Sequence, residues 1–445
     1  MRLRCRSVPT GVALVALASA LLATAAPAQP APRAAAPAGE TTQGRGESSG
    51  AAAPASKVEP VHPDELEFVR RQRRSLTGGA SHAWTSAWLS GARVVGLGEL
   101  THGARDGIAT RIELAKALVV EHGFDVVALE AGYEASWLLA DWIRGGPGAP
   151  ERALDRLGMW IWHSGEMLEF ATWLRAENAR RAPDRAIELV GVYGYTSFPN
   201  KLETLRAHLA ESRADSRLVT EVPSVERCAE LDPQFASSAP WTQAREHDPV
   251  LGVLLDSIRN CDVRPGLQEQ SDRFAADMTL RLLGMADARA GRPRRMVLLA
   301  HNGHVAKTRL GHLREDVLGQ HLARALGDGY RAVGFTIGEG RFNGTYKHPK
   351  TGYAPNNSTL TLDGIQPGSL ESVLSTGGPR FFLPTRASGA AWPGPSRPMR
   401  DIGAGYSPPY AWYFWSPVQL QDAFDAIVFI STTQPITQRP WGKQR

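Results

Sequence analysis

Short runs of almost uninterrupted apolar residues recur along this chain, each followed by a stretch with helical periodicity. That alternation constrains the fold more than any other feature. Residues 93–97, 125–129, 187–191, 296–300 and 332–337 read as strands, and runs at 380–384 and 425–430 extend the set. Helical spacing fills 108–121, 133–143, 167–181, 201–210, 269–288 and 318–326. A strand with apolar side chains at successive positions must be covered on both faces, which predicts a mostly parallel β-sheet covered by helices. Residues 220–262, rich in Pro, Ser and Asp, read as a helical insertion or cap.

The N-terminus has a different character. Basic residues in Met1–Arg6 precede an apolar stretch from Gly11 to Ala26, and Ala26-Pro27-Ala28 offers small residues for signal-peptidase cleavage after Ala28. Residues 1–28 therefore read as a signal peptide and 29–60 as a disordered tether rich in Ala, Pro, Gly and Ser. Residues 61–440 read as a single α/β hydrolase-type domain. Export to the periplasm or medium follows, with no stable membrane insertion after cleavage. Cys228 and Cys261 remain in the mature chain and could pair in an oxidising compartment. The formal charge is +5, of which Arg2, Arg4 and Arg6 carry three. No basic block stands out elsewhere, so nucleic acid is not an expected partner.

In parallel sheets, functional loops follow the carboxyl ends of strands. The first strand is followed by Gly98-Glu99-Leu100-Thr101-His102-Gly103, the second by Glu130-Ala131-Gly132, and the fourth by His301-Asn302-Gly303-His304. Each ionisable residue alone has an ordinary explanation, such as a helix cap or a polar loop. Five of them, Glu99, His102, Glu130, His301 and His304, at three strand ends point to a shared catalytic site. Trp160 and Trp162 could line an apolar substrate pocket, and Asp106, Glu166 and Arg273 are further candidates for substrate binding. None of the expected strands is followed by a Gly-x-Ser-x-Gly elbow, and the chain has no His-Glu-x-x-His helix, P-loop or Gly-x-Gly-x-x-Gly. Bases and acids without an evident nucleophile suggest that water is the attacking species.

These segments carry a resemblance. Gly98–Gly103, Leu129-Glu130-Ala131, Trp173-Leu174-Arg175 with Asn178, Ala300–His304, Ile402-Gly403-Ala404 with Tyr406, and Phe424-Asp425-Ala426 together resemble the erythromycin esterase family. The resemblance implies metal-independent hydrolysis of an ester or macrolide lactone without a cofactor. His102 would be the general base for water, and Glu99, Glu130, His301 and His304 the other active-site positions. It spans about 85–435, with local departures. Asp106 stands where the family commonly has Glu, Gly191-Val192-Tyr193 replaces a Gly-x-Asp, and Arg273 is the candidate for the family's arginine. An exported enzyme of this kind could act in antibiotic resistance, or on any environmental ester. Two other readings of the same residues are a metal-dependent hydrolase or peptidase using His102, Glu130, His301 and His304 as ligands, and a binding relative that has lost turnover.

Overall fold

Val94–Leu97 (β2), Val126–Gly132 (β3) and Met296–Leu299 (β5) are buried at every position, as continuous apolar strands require. They belong to a ten-stranded sheet. Its other members are Arg74–Ser75 (β1), Glu188–Tyr193 (β4), Tyr330–His348 (β6), Gly352–Leu362 (β7), Arg380–Pro384 (β8), Gly405–Tyr406 (β9) and Ala426–Thr433 (β10). The strand order is β1-β8-β10-β6-β2-β5-β3-β4, with β7 and β9 also paired to β6. All pairs from β10 through to β4 are parallel. Antiparallel β1 and β8 finish one edge, and β7 folds back on β6.

The computed structural model describes residues 59–77, 88–89, 91–194, 198–212, 214–260, 268–311, 316–348, 352–387 and 389–439. The expected signal peptide, most of the expected tether, and Cys261 lie outside the described residues. Cys228 is disulfide-bonded. The described residues fall within one unit, Ala55–Arg445.

Neighbouring side chains of the central strands enter opposite cores, because side chains alternate across a strand. Val94, Val126, Ala128 and Leu298 join one core with the helices Phe198–Glu211, Pro249–Arg259, Gln268–Ala290 and Leu318–Leu326. Val95, Val127, Leu129 and Leu299 join the other, against Arg105–Glu121, Trp137–Ile143 and Gly165–Asn178. Fully burying each such Val or Leu side chain contributes about 1.5–3 kcal/mol. The insertion around 220–262 contains the helices Ala239–His247 and Pro249–Arg259, whose Trp241, Leu251 and Leu254 are buried in the first core. Among the described residues, no helix is long and apolar enough to cross a membrane.

One element departs from expectation. The fifth strand was expected to stop at residue 337, yet β6 continues to His348 and forms an antiparallel hairpin with β7. Residues 338–348 are Gly-rich and polar and carry no continuous apolar signal, because this arm extends beyond the doubly covered centre of the sheet.

Candidate active site

Strands β2, β5 and β3 are adjacent and parallel, so their carboxyl ends open on one edge. After β2 the chain turns through Gly98–Gly103 into the helix Arg105–Glu121. The two glycines permit close approach of other segments. A Cβ on Gly98 would lie 2.2 Å from Asn302 Oδ1, and one on Gly103 would lie 1.7 Å from the Asn343 carbonyl oxygen. Thr101 Oγ1 donates to the Gly403 carbonyl at 2.8 Å, and the Gly403 amide donates to Leu100 O at 3.0 Å. The turn is thus fixed from both sides.

Within that turn, His102 Nδ1 lies 2.5 Å from Glu99 Oε1, with both side chains buried. Arg111, on the buried side of the following helix, places Nη2 2.9 Å from the other Glu99 oxygen. Burial opposes ionisation of Glu99, but Arg111 and His102 outweigh it and hold the carboxyl below its ordinary value. Burial likewise opposes charge on His102. The Glu99 carboxylate prevails there too, so the His102 pKa sits above its ordinary 6.5.

Glu130 extends from β3. Its Oε2 accepts the His301 backbone amide at 2.8 Å, and its Oε1 lies 3.3 Å from His304 Nε2. Burial raises its pKa, but His304 leads the opposing charges and the net direction is strongly down. Trp162, fully buried, donates its indole N–H to the Glu130 carbonyl at 3.3 Å.

His301 caps the short helix Asn302–Val305, accepting the Gly303 amide on Nδ1 at 3.1 Å. An imidazole nitrogen that accepts carries no proton, so the proton of His301 resides on Nε2. That nitrogen faces Leu100 O at 3.1 Å and Asp401 Oδ1 at 3.2 Å. Burial pushes the His301 pKa down, which agrees with a neutral ring. His304 is held differently. Its Nδ1 lies 2.7 Å from Asp272 Oδ1, and the Tyr193 hydroxyl donates to the same oxygen at 2.9 Å. Burial opposes its charge, yet Asp272 and Glu130 lift its pKa well above the ordinary value.

Thus the structure brings Glu99, His102, Glu130, His301 and His304 together, with the His102 ring centroid 5.6 Å from that of His301 and 6.4 Å from that of half-buried Trp160. The nitrogens of His301 and His304 are all engaged by protein groups. His102 Nε2 has no hydrogen-bond partner among the described residues.

Three expected substrate-binding residues do not join this cluster. Asp106 Oδ2 accepts the Gln434 amide and the Thr433 hydroxyl, tying the helix to the end of β10. Glu166 accepts the Thr437 amide at the start of its helix. Arg273 is exposed, because a helix turns successive side chains by about 100° and Asp272 takes the inward position. Trp162 supports Glu130 from behind, and only Trp160 borders the His102 ring.

The sequence reading missed Arg111, Asp272 and Asp401. Arg111 had a signal: it lies on the apolar face formed by Ile108, Ile112 and Ala115, where a charge needs a buried partner. Asp272 and Asp401 carried none. Among the described residues, no group of three or more His, Cys, Asp or Glu side chains is arranged to hold a metal ion.

The family model described as erythromycin esterase matches residues 119–433. That span includes Glu130, Asp272, His301, His304 and Asp401, whereas Glu99 and His102 precede it. Erythromycin esterase type I of Escherichia coli is 28% identical over 398 residues, covering 77% of this chain and 91% of that protein. Erythromycin esterase type II of Escherichia coli is 23% identical, covering 64% of this chain and 79% of its own length. Among solved structures, a Bacillus cereus protein aligns with a TM-score of 0.66 at 19% identity, covering 85% of this chain and 99% of that one. A mutant of the erythromycin esterase EreC in its open conformation aligns with a TM-score of 0.55 at 21% identity, covering 84% and 99%. These structures share the fold. With the family model spanning well over half of its length, the chain belongs to the erythromycin esterase family.

Proposed function

We propose that this protein hydrolyses an ester or lactone bond in a small molecule, using water activated by His102 and no metal ion. One observation carries the reading: Glu99 engages His102 Nδ1, leaving Nε2 as the one ring nitrogen of the three histidines without a protein partner among the described residues. A carboxylate on Nδ1 fixes the tautomer whose Nε2 accepts a proton. In the reaction, Nε2 removes a proton from water while the water oxygen bonds to the carbonyl carbon. The tetrahedral intermediate then expels the alkoxide, which takes the proton back from the imidazolium, giving an acid and an alcohol. Metal independence is supported by the same geometry, since His301 and His304 already spend both nitrogens on protein groups. Trp160 beside His102 gives the site an apolar wall suited to a large ring or acyl chain.

The test is hydrolysis of a panel of macrolide lactones and simple esters by purified protein, in the presence of a chelator and in ¹⁸O-labelled water. One product acid should carry the label, and His102→Ala should lower kcat/KM by about 100-fold or more. Undiminished turnover in that variant would remove His102 from its role, and loss of turnover on chelation would remove metal independence. Export is proposed from the basic, apolar and small-residue pattern of residues 1–28. Mature protein recovered from periplasm or medium should begin at Gln29, and recovery of the intact N-terminus would reject cleavage.

A further inference from the structure

His304 lies between two carboxylates, with Nδ1 2.7 Å from Asp272 Oδ1 and Nε2 3.3 Å from Glu130 Oε1. Ionised carboxylates only accept hydrogen bonds, so an imidazole between two of them carries a proton on each nitrogen. Asp272 is fully buried on the helix Gln268–Ala290 and has no cationic side chain other than His304 within ion-pair distance among the described residues. A carboxylate placed there without purpose is costly to bury.

We infer that Asp272 is a positioning residue of the hydrolytic site, fixing His304 as a doubly protonated cation that counter-charges Glu130 and so leaves His102 free to work as a neutral base. The physical reason is the competition for Glu130. Both His304 and His102 feel its negative charge, and both are buried beside it. Glu130 already adds to Glu99 in drawing a proton onto His102, and a neutral His304 would leave that pull without its nearest offset; a protonated His102 accepts nothing from water. With His304 charged, the pull of Glu130 is partly offset at its own carboxylate. Two further groups facing His304 are Tyr193 from β4, with ring centroids 5.3 Å apart, and neutral His301, at 6.3 Å. Neither supplies the missing negative charge. The Tyr193 hydroxyl donates to the Asp272 oxygen that His304 uses, which orients the carboxylate without replacing it.

The catalytic consequence rests on the hydrolytic reading, but the charge state of His304 does not, so the two can fail separately. The full chain labelled with ¹⁵N-histidine reports ring protonation by NMR in the resting protein, with His304→Gln assigning the signal. In the wild type, the His304 ring should remain doubly protonated through neutral pH. Asp272→Asn should lower its titration midpoint by about one pH unit or more. Tyr193→Phe should not lower it. In kinetics, Asp272→Asn should move the acid limb of kcat/KM, on which His102 loses its proton, to higher pH, and should add nothing in the His304→Gln background.

A singly protonated His304 at neutral pH in the wild type would overturn the inference, even if Asp272→Asn does not fold. An unchanged midpoint in Asp272→Asn, or equal loss of activity at every pH, would overturn it as well. If the midpoint falls as expected but no ester or lactone is turned over, the hydrolytic reading fails while the hold of Asp272 on His304 stands.

Discussion

His102 and His301 are both largely buried histidines at strand ends, yet their neighbours give them opposite properties. A carboxylate on Nδ1 makes His102 basic, whereas a backbone amide on Nδ1 makes His301 a neutral acceptor there and a donor at Nε2. The sign of the pH dependence follows. A general base works unprotonated, and the His102 pKa lies above 6.5, so kcat/KM should fall as pH drops through a value above 6.5. Glu99→Gln removes the charge that raises this value, so the acid limb should move to lower pH. Its plateau should also fall, by about 100-fold or more, because the tautomer is no longer fixed. A Glu99→Gln profile whose acid limb stays in place would show that Glu99 does not set the base.

The turn between β2 and the helix Arg105–Glu121 carries His102, and its geometry depends on an absent side chain. In Gly103→Ala the new methyl would meet the Asn343 backbone, which cannot rotate away as a side chain could. Thermal or denaturant unfolding should register a loss of about 1–3 kcal/mol, with kcat/KM reduced because His102 moves with the turn. The same exchange at Gly284 should have the opposite sign. Gly284 lies inside the helix Gln268–Ala290 with nothing within 4 Å of the added Cβ, so alanine should stabilise by about 0.5–1 kcal/mol. Equal effects at the two positions would refute the close-approach account of Gly103.

Across the whole described structure, buried ion pairs join segments distant in sequence. Arg397 Nε donates to Glu65 Oε1 at 2.6 Å, and its guanidinium also holds the carbonyls of Glu59, Pro60 and Gly368. This clasps the helix Pro63–Gln72 to the C-terminal third of the chain. Arg397→Ala leaves Glu65 buried and uncompensated, and should cost about 3–5 kcal/mol in denaturant unfolding. At temperatures where the variant is folded, kcat should be unchanged, and a selective loss of kcat would place this clasp in the site instead.

How much of this was legible in sequence differs by residue. Apolar runs marked β2, β3 and β5, and polar residues placed directly after them marked Glu99, His102, Glu130, His301 and His304, because strand periodicity and strand-end chemistry are local properties. The arm of β6 beyond residue 337 was not legible, since its partner is β7 and not a covering helix. Asp272 looks like any acidic residue on a helix, and its neighbour Arg273 is the candidate for the family's arginine. Which of the two faces inward depends on the azimuth of the helix against the sheet, and packing sets that.

The opening alternation by itself determined the class of fold and the edge at which the candidate site residues gather. It could not determine that β5 inserts between β2 and β3, with Met296 paired to both Val94 and Val126. That order brings His301 and His304 against Glu130 and His102, and it arises from long-range packing of two cores across the sheet. Only the tertiary structure could therefore decide which ring nitrogen has no partner among the described residues and which carboxylates lie against His304. A side chain's protonation state follows from what surrounds it, and those surroundings come from widely separated parts of the chain.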